Sequence, residues 1–100
     1  EQSAVEDIPK MAGTKVLNHN TSFDPGKKGE VVMLANKFSV DTNGSFYRDY
    51  YRDRGWATLQ DQELSDARAM AFRRYGSEVR LVVKKSDMGA VVVINRVNSD

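Results

Sequence analysis

The chain has 100 residues, 40% of them hydrophobic, a formal net charge of +1 and no cysteine. That length suits one domain able to bury its own core, and the near-zero charge gives no global electrostatic case for nucleic acid. Without cysteine, disulfide scaffolds, zinc–thiolate centres and cysteine nucleophiles are excluded, and no apolar run approaches the roughly 20 residues of a membrane-spanning helix.

The first seven residues, Glu1 to Asp7, are polar and acidic and read as a flexible tether. Ordered chain is expected from Ile8-Pro9 onward, as a single domain over residues 8–100. Thr14 to Asn18 is a short strand candidate. Asp24-Pro25-Gly26 is a turn signal, because proline presets its dihedral and glycine permits a positive one. Lys27-Lys28-Gly29 is read as an extension of that loop. The β-branched run from Glu30 to Phe38 is the second strand.

Asp41-Thr42-Asn43-Gly44-Ser45 offers helix N-caps and also a hairpin signal. The helix is preferred, from about Thr42 to Arg54. Phe46/Tyr50 and Tyr47/Tyr51 fall at i, i+4, and Asp49 meets Arg52 at i, i+3. Gly55 then stops the helix and Trp56 turns back to the core. Ala57 to Asp66 is polar, with Leu59 and Leu64 as anchors, and is read as irregular. Arg68 to Tyr75 fits helix by its alanines and strand by its alternation. It is taken as the first strand of a meander with Glu78 to Lys85 and Ala90 to Val97. The expected fold is α+β, one amphipathic helix packed on an antiparallel sheet in the order β-β-α-β-β-β. Its expected core is Val32, Leu34, Phe38, Phe46, Tyr50, Trp56, Phe72, Leu81, Val83, Val91 and Val93.

Several residues carry short polar motifs. Asp49 and Asp53 lie one helical turn apart, but Arg48, Arg52 and Arg54 beside them favour a solvated charged face over acid–base work. His19 is the single histidine, set among Asn18, Asn20 and Thr21, and is read as a surface loop residue with no nucleophile partner. An enzyme built on Asp49, Asp53 or His19 is the last-ranked reading. Gly26-Lys27-Lys28-Gly29 lacks the spacing of a phosphate loop. Arg68, Arg73, Arg74, Arg80, Lys84 and Lys85 are weighed as a basic side of the meander. No metal-ligating, cofactor-binding or catalytic set is assigned. The candidate partner-binding residues are Tyr47, Tyr51, Arg48 and Arg52, on the assumption that this column of the helix is exposed.

The order Ile8-Pro9 with Gly13, then Phe46-Tyr47-Arg48, then Gly55-Trp56 and a terminal meander resembles small exported bacterial domains, often lipoproteins. The resemblance implies a periplasmic or cell-envelope location, with the N-terminal tether giving peripheral membrane association. It implies a non-catalytic domain and carries no functional residues. The expectation is therefore a monomeric module that uses no cofactor and no nucleic acid. It contacts another protein through a strand edge or the aromatic helix flank. The alternative is a carrier holding a small apolar ligand between helix and sheet.

Overall fold

The computed structural model describes residues 8–24 and 27–99. The expected acidic tether and the Pro25-Gly26 pair of the expected turn lie outside them. The elements are β1 (Lys15–Asp24), β2 (Lys27–Asn36), α1 (Val40–Asp53), β3 (Ala57–Glu63), β4 (Ala67–Arg74), β5 (Ser77–Ser86) and β6 (Gly89–Ser99). The strands form one sheet in the order β1-β2-β6-β5-β4-β3, and every neighbouring pair is antiparallel. The α+β class with a single helix on an antiparallel sheet is what the sequence pattern implied.

The sheet has one strand more than expected. Ala57–Glu63 pairs with β4 although all seven of its residues are exposed. A strand with no buried face leaves no alternation to read, and its one large apolar residue, Leu59, sits in a register shift between Thr58 and Gln60. β1 is longer than expected for the same reason: its polar stretch through His19 is edge strand, not loop. β2 starts at Lys27, so Lys27-Lys28-Gly29 belongs to the sheet.

The helix starts where Ser39 caps it, its hydroxyl oxygen accepting from the Thr42 N–H at 3.0 Å, with Asp41 in the first turn. It ends in a Schellman motif: Trp56 N–H donates to Tyr51 O at 3.0 Å and Gly55 N–H to Arg52 O at 3.1 Å. Gly55 takes a φ of 83°, which glycine permits at no steric cost. Trp56 packs edge-on against Tyr51, so the cap also closes the end of the core.

α1 packs on β3 to β6. Its buried side is Asn43, Gly44, Tyr47 and Tyr51. Phe46 and Tyr50, expected at the centre, are only partly buried against the core, as is Trp56. The helix is thus rotated by one residue from the expected phase, and two contacts explain it. Asn43 and Asn36 exchange reciprocal amide hydrogen bonds of 2.9 and 2.8 Å, both side chains buried. Gly44 faces Arg68, whose Cδ and Nη1 would stand 2.8 Å from a Cβ placed there. With these two inward, Tyr47 and Tyr51 follow at four and eight residues from Asn43. Tyr51 then stacks on Phe72 at 4.8 Å.

Val32, Leu34, Phe72, Leu81 and Val83 are buried as expected. Phe38 is not: it lies in the connection after β2 and is exposed. In β6 the buried residues are Ala90, Val92 and Ile94, while Val91 and Val93 face the other side of the sheet, half-buried. A continuous apolar run carries no phase of its own. Here Arg96, paired with Glu30, fixes which alternate residues turn inward.

Replacing Asn36 or Asn43 by leucine strands a buried amide, and each change is expected to lower unfolding stability by about 1–3 kcal/mol. The double variant should lose less than the sum, measured by urea denaturation of the four-protein cycle. Gly44→Ala ordinarily stabilises a helix interior by about 1 kcal/mol. At this position the same assay should show a loss, because Arg68 must move; Gly44→Ala combined with Arg68→Ala should recover the helical gain relative to Arg68→Ala alone.

Candidate functional site

Three surfaces compete for function, and the structure ranks them. The helix flank is the first. Tyr47 and Tyr51 are buried, and burial pushes both phenols well above their ordinary pKa. They are core residues, and the assumed exposure of this column is corrected by the rotated helix. Arg48 and Arg52 remain accessible but are answered within the helix. Asp49 Oδ1 lies 3.1 Å from Arg48 Nε and 3.1 Å from Arg52 Nη2, and Asp53 lies 3.5 Å from Arg52 Nε. The aspartates thus form the charged helix face read from the sequence. Tyr50 is covered by Arg54, whose guanidinium carbon sits 3.7 Å from the ring centroid.

The second surface is a recess of about 400 Å³ at the helix N-terminus, between Ser39, Asp41, Glu63, Asp66, Arg68 and Lys85. Its charges are mixed, and its most buried one is already committed. Arg68 donates from Nε and Nη2 to the two carboxylate oxygens of Asp61, each at 2.9 Å. That bidentate pair holds the Asp61 carboxyl below the usual carboxylate range. The six basic residues weighed as one patch are split by strand alternation. Arg68, Arg74 and Lys85 fall on the helix side, and Arg73, Arg80 and Lys84 on the opposite side.

The third surface is the β1 edge. β1 is ten residues long and, among the described residues, pairs only on its β2 side. Asn18, Asn20 and Thr21 are exposed along it, and Val16 and Leu17 add apolar area. A register shift between Val16 and Asn18 makes Leu17 a bulge, so the regular edge runs over residues 18–24.

This edge is tied down at its middle by a buried charge. Glu30 on β2 has a fully buried side chain, and its Oε1 accepts from Arg96 Nη2 at 2.7 Å and Nε at 3.0 Å. Its Oε2 makes no hydrogen bond and lies 3.5 Å from His19 Nε2. Thr21, the cross-strand partner of Glu30, has its hydroxyl 3.5 Å from the same nitrogen. His19 is therefore an edge-strand residue facing a carboxylate, not a free loop residue. The lone histidine in the sequence signalled nothing of this, because Glu30 and Arg96 are 66 positions apart. Asp49 and Asp53 lie on the helix, paired with Arg48 and Arg52.

Among the described residues no group of three or more histidine and carboxylate side chains is placed to hold a metal ion. No helix of the described residues is long and apolar enough to cross a membrane. In comparisons with known proteins, no family model matches the chain and no curated protein matches it significantly in sequence.

Two outcomes are expected here. Arg96→Leu leaves Glu30 buried without its partner and should lower stability by about 3 kcal/mol, while Glu30→Leu/Arg96→Leu should recover most of that, read by thermal and urea unfolding. Asp61 has its folded pKa depressed, so its contribution is present above the unfolded value of about 3.9 and is lost as pH falls through the lower folded value. Asp61→Asn should therefore flatten the acid limb of the stability–pH profile and leave its neutral limb unchanged in slope.

Proposed function

We propose that this protein is a non-catalytic binding module that pairs the open edge of β1 with an extended segment of another protein. The observation that carries the reading is that edge. It is a long outer strand with uncharged side chains at Asn18, Asn20 and Thr21, paired with β2 along its length, and its His19 faces the buried Glu30. Strand addition draws its affinity from main-chain hydrogen bonds, which an outer strand offers unpaired on one side. The opposite edge, β3, suits this less, since it carries Asp61 and Glu63 within seven residues.

The cell-envelope location and the monomeric state belong to the same proposal. Their support is the pattern of Ile8-Pro9, Gly13, Phe46-Tyr47-Arg48 and Gly55-Trp56 and the acidic first residues. The carrier alternative is disfavoured by packing: Tyr47, Phe72, Met70 and Leu81 fill the space between helix and sheet and are almost wholly inaccessible.

Site-specific photocrosslinking in cells tests the reading. A crosslinking side chain at Asn20 should capture a discrete protein, and the same group at Gln62 on β3 or at Tyr50 on α1 should not. Capture at Tyr50 alone would move the site to the helix flank, and no adduct at Asn20 would defeat the β1 assignment. Native mass spectrometry of gently purified protein should return the bare chain; a retained small molecule would restore the carrier.

A further inference from the structure

We propose that the groove beside the β1 bulge receives an apolar side chain of the bound segment, and that an acidic residue of that segment lies between Lys15 and Lys37. This deepens the β1-edge reading and rests on it. The groove holds about 240 Å³ and is lined by Leu17, Ala35 and Met88 together with Lys15 and Lys37. It is smaller than the roughly 300 Å³ at which sites for drug-sized molecules begin, and its size suits one side chain.

The bulge is what makes this corner different from the rest of the edge. It displaces Leu17 from the regular alternation and leaves it half-exposed beside Ala35 on β2. Met88 reaches the groove from the tip of the β5–β6 hairpin and is 75% exposed. That hairpin is pressed against the end of β2: a Cβ at Gly89 would collide with the Asn36 carbonyl and the Lys37 backbone. The groove is therefore built from three elements held together by a glycine contact, with a flexible thioether at its mouth that adapts to different side chains.

Charge selects the occupant. No carboxylate lines the groove, and among the described residues no ion pair includes Lys15 or Lys37. Both lysines are exposed. Arg48 and Arg52 on the helix, by contrast, each have a carboxylate neighbour. Two uncommitted ammonium groups beside an apolar lining complement a carboxylate next to an aliphatic side chain. On the same face of the sheet as Ala35, Met33, Val91 and Val93 are half-buried. A bound strand paired with β1 reaches this groove with alternate side chains on that same face.

The test uses the full chain, ¹⁵N-labelled with methyl-labelled Leu and Met, and two short synthetic peptides of alternating threonine and valine. One carries a central Leu-Glu pair and the other Leu-Lys. The Leu-Glu peptide should shift the β1 amides together with the Leu17 and Met88 methyls. The Leu-Lys peptide should bind roughly tenfold more weakly, the difference should vanish in Lys15→Gln/Lys37→Gln, and the preference should reverse in Lys15→Glu/Lys37→Glu. Equal shifts of β1 amides by both peptides, with the Met88 methyl unmoved, would overturn the groove assignment and leave the edge reading standing. Met88 and Leu17 shifts without β1 amide shifts would overturn the edge reading and with it the strand-bound occupant. No shift with either peptide would overturn both. Shifts at these positions on concentrating the protein alone would assign the groove to a second copy of this chain. Shifts with phosphatidylglycerol vesicles but with neither peptide would assign it to lipid, and either result overturns the proposal.

Discussion

Asn43 and Asn36 exchange two amide hydrogen bonds across the joint between β2 and α1, and the phase of the helix follows from that exchange. Both side chains are buried, and Asn43 also donates to the Ser39 carbonyl at 2.9 Å, so the joint and the helix start are one hydrogen-bonded unit. A buried amide left unpaired is costly, which makes other rotations of the helix unfavourable even where they would bury as much aromatic surface. Gly44 is needed beside it because Arg68 occupies the space a side chain would take. Tyr47 and Tyr51 then reach the sheet, Tyr51 stacks on Phe72, and Trp56 closes the far end through the Schellman motif.

The sheet carries two charged pairs, and they act at different places. Arg68 and Asp61 tie β4 to β3, which has no buried face of its own to hold it. Glu30 and Arg96 join β2 to β6. Glu30 sits on the strand next to β1 and leaves one carboxylate oxygen facing His19. Buried pairs of this kind specify arrangement more than they add stability.

Both outer strands are bulged, at Leu17 in β1 and at Leu59 in β3. Bulges limit indiscriminate edge-to-edge pairing. In β1 the bulge lies close to one end, so a regular stretch survives beyond it and the displaced leucine becomes part of a groove.

The sequence by itself determined the α+β class, a helix beginning near Thr42 and ending at Gly55-Trp56, and the meander of β4 to β6; the cap itself is Ser39, outside the expected Asp41–Ser45. These are local signals: cap oxygens, a left-handed glycine and β-branched runs act within a few residues. It did not determine β3 or the full length of β1, because edge strands made of polar residues have no hydrophobic period. Nor did it determine the helix phase, since Phe46/Tyr50 and Tyr47/Tyr51 are equivalent columns until Asn43 finds Asn36. Val91 and Val93 could be told from Val92 and Ile94 only once Arg96 met Glu30 across the sheet. The candidate site was the least legible part. Leu17, Ala35, Met88, Lys15 and Lys37 come from three separate stretches, and only strand pairing and the approach of Gly89 to β2 bring them around one groove.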